Sequence, residues 1–298
     1  MSREIALLVN PTAGRGRGMR YGLAAADQLR RAGVGVRELT GRDAGEAATL
    51  ARAAAESGAS ALVVVGGDGM VHLGLQVVAG TSTTLGVIPA GTGNDVARLV
   101  GLPRRDPRAA ADIVAEGRVR AIDATRCAGE TGQRWYVTVL AAGFDARVND
   151  RVNRMTWPRG RLRYDLAVLA ELREFRPLRY VLDLDGERWT TDAMLVAVGN
   201  GPSYGGGMRV CPDAAVDDGL LEVVVVGTLS KQRFVRLFPT VFTGRHVRHS
   251  EVTVRRARRV TVTAAGVTAY ADGERVGALP ITCETVRGAL KVLGPAPA

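Results

Sequence analysis

The sequence predicts an α/β domain built on a parallel sheet covered on both faces, followed by a second, β-rich domain. Three observations lead there. Up to about residue 116 short apolar runs alternate with alanine-rich helical stretches, the alternation that a parallel sheet with crossover helices requires. Beyond residue 121 the helical period largely disappears, and β-type runs separated by turn signals take over. The chain has 298 residues, enough for two domains that each bury a core.

In the first part, apolar runs flanked by turn residues place strands at 5–9, 34–39, 61–65 and 85–88. Helices are expected at 19–31, 44–57, 71–79, 94–99 and 107–116, with Asp43 and Glu46 spaced as a capping box at the start of the second. In the second part, β-type segments fall at 135–140, 180–184, 193–198, 220–226, 252–254, 260–263 and 267–270. Two helical insertions, 164–175 and 231–242, interrupt them, and 294–298 reads as a frayed tail. These patterns divide the chain into 1–124, the α/β domain, and 125–284, the β-rich domain, with 285–298 available to complete the first.

Composition narrows the function classes. No apolar run approaches the roughly 18 residues of a membrane span, and the short apolar N-terminal run reads as a first strand, not a signal peptide, so a cytoplasmic protein is expected. Cys127, Cys211 and Cys283 are widely spaced, without a CxxC pair, and read as small core hydrophobes, not as a disulfide or zinc framework. The net charge of +10 is carried almost wholly by arginine, since Lys231 and Lys291 are the only lysines. Such a charge favours an anionic partner, although an Ala-, Gly-, Val- and Arg-rich chain is also what a GC-rich genome produces.

The most informative stretch is Ala61-Leu-Val-Val-Val-Gly-Gly-Asp-Gly-Met70, a buried strand ending in three glycines around one carboxylate. Glycine lets the backbone approach a bulky anion, and Asp68 suits phosphate only with a divalent cation between them. A tight strand-to-helix turn with an exposed Asp is the competing reading. Two further strands end in comparable loops, Asn10-Pro-Thr-Ala-Gly-Arg-Gly-Arg-Gly18 and Pro89-Ala-Gly-Thr-Gly-Asn-Asp95. In a parallel sheet all three lie at one edge, each leading into a helix whose first amides and dipole favour an anion. There is no GxxxxGK[ST], and Gly91-Thr-Gly-Asn-Asp-Val96 lacks the third glycine of the dinucleotide fingerprint, which excludes a P-loop NTPase and argues against a hydride-transferring enzyme. Phosphate charge would then be offset by metal at Asp68 and by Arg15 or Arg17, which could equally be solvated loop charges.

Taken in order, Asn10-Pro-Thr-Ala-Gly14, Gly66-Gly-Asp-Gly69 and Pro89-Ala-Gly-Thr-Gly-Asn-Asp95 resemble the diacylglycerol kinase catalytic family of bacterial lipid kinases, relatives of sphingosine and ceramide kinases. The resemblance continues through Ala142-Gly-Phe-Asp145, Asn200-Gly-Pro-Ser-Tyr-Gly-Gly-Gly-Met208, Pro212-Asp-Ala214, Asp218-Gly-Leu-Leu221 and Asp272-Gly-Glu274. It implies a doubly wound nucleotide domain followed by a C-terminal β-sandwich that takes the lipid, with ATP as co-substrate and Mg²⁺ as cofactor. By this likeness Asn10, Pro11, Thr12, Ala13, Gly14, Thr40, Gly66, Gly67, Asp68, Gly69, Met70, Val71, His72 and Thr92 line the nucleotide, with Asp68 near its Mg²⁺. A structural Mg²⁺ maps to Asp218 and the carbonyls of Ala215 and Leu220, where the residues alone also read as a polar turn.

Phosphoryl transfer asks the protein to position the phosphoryl group, offset its charge and deprotonate the acceptor hydroxyl. Asp-Gly-Glu occurs twice, at 185–187 and 272–274, and each also reads as an ordinary hairpin turn. The resemblance selects Glu274 as base. Relatives carry threonine where this chain has Met70, and Asn-Glu where it has His72-Leu73.

The expected activity is ATP- and Mg²⁺-dependent phosphorylation of diacylglycerol to phosphatidic acid, at the inner face of the membrane and without nucleic acid as partner. Rivals are a kinase for a sphingoid base, polyprenol or NAD, and a non-catalytic nucleotide- or lipid-binding member; a homodimer stays open. Transient contact with an anionic membrane is expected; Arg147, Arg151, Arg154, Arg159, Arg161 and Arg163 with Met155 and Trp157 interleaved could supply it, although a solvated basic loop is the preferred reading of that segment. Residues 229–242 could line an acyl-chain groove or simply pack on the β domain.

Overall fold

The computed structural model describes residues 4–130, 132–155, 157, 166–167, 170–171 and 176–295. The chain forms two compact units, one comprising Met1–Ala124, Gly205–Gly207 and Val286–Ala298, the other Thr125–Tyr204 and Met208–Thr285. Among the described residues no helix is long and apolar enough to cross a membrane.

The first unit holds β1 (Glu4–Val9), α1 (Ala13–Arg31), β2 (Gly35–Leu39), α2 (Ala44–Glu56), β3 (Ala61–Gly66), α3 (Asp68–Val78), β4 (Thr84–Pro89), α4 (Asp95–Leu99) and α5 (Pro107–Glu116). The strands run parallel in the order β2-β1-β3-β4, with Leu7 opposite Glu38 and Val63, and Val63 opposite Gly86. Alternate residues serve opposite faces. Ile5, Leu7, Val63 and Val65 pack with Ala25, Leu29, Ala110 and Val114 of α1 and α5. On the other face Leu62, Val64 and Leu85 crowd Gly74 of α3 so closely that a Cβ there would lie 3.0 Å from Val64 and Leu85. The sheet is thus covered twice, as the all-apolar strands require.

The helix starts follow local chemistry. Asp43 Oδ1 accepts from Glu46 N at 2.9 Å, and Glu46 Oε2 reaches back to Arg42 N at 2.6 Å, one residue earlier than a reciprocal capping box would place it. Asp106 caps α5 through Arg108 N and Ala109 N, with Pro107 at the first position and Gly117 ending the helix at φ 70°. The helix expected from residue 19 is preceded by a left-handed turn, Gly14, Arg15 and Gly16 having φ of 59°, 65° and 85°.

The second unit contains β5 (Val119–Gly129) from Thr125 on, β6 (Gly132–Tyr136), β7 (Val139–Gly143), α6 (Phe144–Arg154), β8 (Leu178–Leu184), β9 (Glu187–Gly199), β10 (Leu221–Gly227), α7 (Lys231–Leu237), β11 (Val252–Ala257), β12 (Arg259–Thr263), β13 (Thr268–Ala271), β14 (Glu274–Ala278) and the start of β15 (Ile281–Leu293). Strands β6 to β14 pair antiparallel. The first half of β9 pairs with β8, and its second half lies between β7 and β10, so one long strand serves both layers of a β-sandwich. Val223 and Val225 enter the inner core with Tyr136, Tyr180, Val196 and Val260. Val224 and Val226 face the other way, under Phe144, Val148, Phe234 and Leu237 of α6 and α7. This explains the unbroken apolar run of β10. Cys127, Cys211 and Cys283 are all free and buried, and burial holds the Cys127 thiol up at about 11.

Two expectations needed revision, and a third falls largely outside the described residues. Helix α6 was not anticipated, although Phe144, Val148 and Val152 recur at helical spacing and pack on one cluster. The insertion at 231–242 is α-helical only to Leu237; 3-10 turns Phe238–Thr243 and Arg245–Arg248 follow, because Pro239 has no N–H to continue the ladder. The insertion at 164–175 lies outside the described residues, apart from helical Leu166, Ala167, Ala170 and Glu171.

Candidate active site

In the first unit, β1, β3 and β4 end in register, Val9 beside Val65 and Gly66 beside Pro89. The ladder continues past them through Asn10 N to Val65 O at 3.0 Å and Ala90 N to Gly66 O at 2.8 Å. The three glycine loops therefore start side by side, and they interlock. A Cβ on Gly14 would overlap the Ala90 carbonyl oxygen; one on Gly91 would lie 2.5 Å from the Gly67 Cα, and one on Gly93 2.5 Å from Asp68 Oδ2. Sequence logic reserved these glycines for an anion; the fold uses their missing side chains first to let one loop touch the next.

Asp68 is the bracket. Its Oδ2 accepts from Asn94 N at 2.9 Å and its Oδ1 from Asp95 N at 2.7 Å. The expectation that all three loops offer open helix N-termini is thus corrected: the leading amides of α4 are already capped by a carboxylate of the chain itself. Carboxylate oxygens of this kind are the hard ligands that a divalent cation takes. Asn94 closes its own loop, bonding Gly91 N and O at 3.0 Å each.

The remaining nucleotide candidates fall as follows. Asn10 Oδ1 accepts from Thr12 N at 3.1 Å and Thr12 Oγ1 at 2.9 Å, fixing the first loop through Pro11 toward Ala13. Arg17 Nε donates to Gly14 O at 2.9 Å, and its guanidinium lies over Tyr21, so it supports the loop; Arg15 is exposed. Thr40, Gly69 and Thr92 are exposed, and His72 is half-buried on α3. Met70 and Val71 are buried, and both amides donate to Gly67 O, at 3.0 and 3.2 Å. The Met70 amide is thereby engaged in the first turn of α3. Its side chain packs over Gly66, where a Cβ would lie 2.5 Å from Met70 Cγ. What α3 offers an anion is its start at Asp68 and Gly69, where the helix dipole is positive.

Sequence reasoning missed Asp95 and Arg98 as parts of this unit's site. Buried Asp95 accepts from Arg98 Nη1 at 2.5 Å and, through Oδ2, from Gly206 N at 2.8 Å. Gly205, Gly206 and Gly207 all have positive φ, and a Cβ on Gly207 would lie 3.0 Å from the Arg98 guanidinium carbon. The run of three glycines and the i,i+3 spacing of Asp95 and Arg98 were the available signals.

In the second unit both Asp-Gly pairs are two-residue hairpins with left-handed dihedrals, Asp185 and Gly186 at 54° and 95°, Asp272 and Gly273 at 51° and 84°. Their surroundings differ. Asp185 accepts from exposed amides of Arg258 and Arg259, and the following Glu187 is ion-paired with Arg255 at 2.7 Å. Asp272 is buried, 8% exposed, and accepts from Val137 N at 3.0 Å, Thr138 N at 2.8 Å and the Thr138 hydroxyl. Glu274 opens β14, exposed and, among the described residues, ion-paired with no cation.

Around Asp218, Oδ1 accepts from Leu220 N at 2.9 Å and Oδ2 faces Arg256 at 3.8 Å. Glu222, 1% exposed, has one carboxylate oxygen with no hydrogen-bond partner. Burial, together with Asp213 and Asp218, raises its pKa despite the Asp213 amide and Arg256. Among the described residues no three His, Cys, Asp or Glu side chains form a metal-binding group. A set of one or two carboxylates with the carbonyls of Ala215 and Leu220 is nevertheless oxygen-only, as a hard cation requires, and the Glu222 oxygen without a hydrogen bond has, among the described residues, only Arg256, 3.9 Å away, to offset its charge. The residues fit Mg²⁺.

The basic segment is partly committed elsewhere. Arg147 and Arg151 both bind the buried Glu171, at 2.8 and 2.6 Å, which leaves them poorly placed for headgroups. Trp157 is 79% exposed; Arg159, Arg161 and Arg163 lie outside the described residues.

Residues 4–127 match the family described as "Diacylglycerol kinase catalytic domain", and residues 138–294 match the "YegS C-terminal NAD kinase beta sandwich-like domain". A protein named diacylglycerol kinase from Mycobacterium tuberculosis is 47% identical over 294 residues, covering 98% of this chain and 95% of its own. A diacylglycerol kinase of Bacillus subtilis is 28% identical, covering 92% and 90%. The protein named "Probable lipid kinase YegS-like" from Stenotrophomonas maltophilia is 29% identical, covering 85% and 84%. The crystal structure of a Bacillus anthracis diacylglycerol kinase superposes with a TM-score of 0.75 at 21% identity, covering 99% of this chain and 97% of that one, and shares the fold.

Proposed function

Because the chain belongs to the diacylglycerol kinase family of lipid kinases, we propose that it transfers the γ-phosphoryl group of ATP, with Mg²⁺, to the free hydroxyl of diacylglycerol, giving phosphatidic acid and ADP. The observation that carries a phosphoryl-transfer site is the interlocked set of glycine loops bracketed by Asp68. The choice of acceptor rests on the relatives named diacylglycerol kinase.

In this reading the start of α3 receives phosphate oxygens on the Asp68 and Gly69 amides, assisted by the helix dipole. The loop from Asn10 to Gly14, with Thr40, Thr92 and His72, bounds the nucleotide. Bound Mg²⁺ would offset phosphate charge at Asp68 and, at Asp218 with the carbonyls of Ala215 and Leu220, hold its loop closed. Glu274 takes the proton of the acceptor hydroxyl as that oxygen bonds to the γ-phosphorus and the bond to the β–γ bridging oxygen breaks. Its Asp272-anchored hairpin, and the absence of an ion-pair partner among the described residues, favour Glu274 over Glu187 for this role.

Labelled ATP with a panel of diacylglycerol, sphingoid base, polyprenol and NAD tests the acceptor; label must appear in phosphatidic acid. The YegS-like relative, named only a lipid kinase, keeps a different lipid acceptor as the second reading, which that panel would reveal. Glu274→Gln should fold normally, bind ATP and lose at least about 100-fold in kcat. Full activity in that variant would remove Glu274 from the mechanism.

A further inference from the structure

We infer that α7 and the two 3-10 turns after it form the surface by which the protein docks on an anionic membrane. Between Leu229 and Glu251 the chain carries five Lys or Arg and one acid, and that acid, Glu251, is bound by Arg233 at 2.5 Å. Arg236, Arg245 and Arg248 are exposed and, among the described residues, ion-paired with none. The net positive charge has no acidic complement within the surface, as contact with phosphate headgroups requires.

Apolar groups project from the same surface. A ladder of rings runs outward from the core, Phe144 to Phe234 at 4.7 Å, Phe234 to Phe238 at 6.4 Å and Phe238 to Phe242 at 6.3 Å. Its last ring is 45% exposed, and Val235 on α7 is 49% exposed. Rings held from within enter an interface at little entropic cost, while flanking arginines stay with headgroups. Beside α7 opens a groove of about 390 Å³ with Arg236, His249 and the Arg233–Glu251 ion pair on its wall; Arg236 is its cation for a lipid phosphate. The surface is distinct from the segment around Arg147 and Arg151, whose guanidinium groups are held by Glu171.

The inference rests on the reading that the substrate is a membrane lipid. It is tested by partition of the full chain onto phosphatidylcholine vesicles with and without phosphatidylglycerol, and by phosphorylation of detergent-dispersed diacylglycerol. Replacing Arg236, Arg245 and Arg248 together by Gln should weaken binding to the anionic vesicles on the order of 100-fold, at about fivefold per charge, and leave micellar activity intact. Phe242→Ser should weaken it about tenfold with little change in salt dependence. Circular dichroism checks that both fold. Unchanged vesicle binding in the triple variant, or loss only on Trp157→Ser, overturns the docking surface while the kinase reading stands. Loss of DNA binding without loss of vesicle binding also overturns it. If no lipid is phosphorylated in micelles yet vesicle binding falls as stated, the docking surface holds and the kinase reading fails.

Discussion

Asp272→Asn is the sharpest test of how the second unit holds Glu274. The substitution preserves shape and removes the charge. Asp272 accepts from Val137 N, Thr138 N and the Thr138 hydroxyl in a nearly dry site. Asparagine has one oxygen, so its amide group must meet one of two sets of donors. If the oxygen stays with Thr138, a charge-assisted bond from Val137 N, about 1.5–3 kcal/mol, is lost and that buried N–H goes unpaired. The two surviving bonds drop toward neutral strength. Relief of carboxylate desolvation offsets part of this, which leaves a net loss of about 3 kcal/mol.

The same exchange at Asp185 supplies an internal control. That hairpin has the same left-handed turn, but its carboxylate bonds exposed amides of Arg258 and Arg259, where water replaces a lost partner; the expected cost is below about 1 kcal/mol. Thermal unfolding and hydrogen exchange at 136–138 and 271–274 measure both. Asp272→Asn should lower the unfolding midpoint by about 6–12 °C, speed exchange in those segments and reduce kcat with KM for ATP unchanged. Equal costs at Asp185 and Asp272 would refute the argument that burial separates the two hairpins.

Other expectations follow from the same geometry. Gly91→Ala puts a Cβ 2.5 Å from the Gly67 Cα, so the loops must part; ATP affinity by calorimetry should fall at least about tenfold, a loss of about 1.4 kcal/mol, whereas Gly58→Ala, which meets nothing within 4 Å, should leave it unchanged. Glu222 has its pKa raised above 4.5 by burial and neighbouring carboxylates; the folded chain holds that proton where the unfolded chain has released it, so stability contributed here is lost as pH rises from 4.5 through the raised value. In chelator, Glu222→Gln should therefore melt higher than the parent at neutral pH, and added Mg²⁺ should stabilise the parent more than the variant. His246 behaves oppositely: enclosed, with Nε2 against Val210 O at 3.0 Å, it has its pKa lowered by burial. Its contribution is present above about 6.5 and lost as pH falls toward the lowered value, with a slope of up to about 1.4 kcal/mol per pH unit; unfolding curves of His246→Gln should lack that slope.

Much was decided by the sequence alone, because it depends on periodicity and on residues close in the chain. Alternating apolar runs suffice for a parallel sheet in the first unit, and the caps of α2 and α5 involve residues at most four apart. Both Asp-Gly turns, the buried cysteines and the ordered glycine motifs are legible in the same way. What the folded structure decided depends on partners distant in sequence. Asp68 meets Asn94 across 26 positions, Gly206 meets Asp95 across 111, and Asp272 meets Thr138 across 134. A carboxylate in a turn reads identically whether solvent or a buried amide faces it, so the two Asp-Gly-Glu triplets could not be told apart by their own residues. Likewise a glycine reads as conformational freedom, and only the neighbouring loop reveals that Gly91 is needed to make room for Gly67. Local pattern sets the elements and their chemistry; close packing between distant segments sets which carboxylate is buried as a brace, as Asp272 is, and which, like Glu274, stays exposed at the start of its strand.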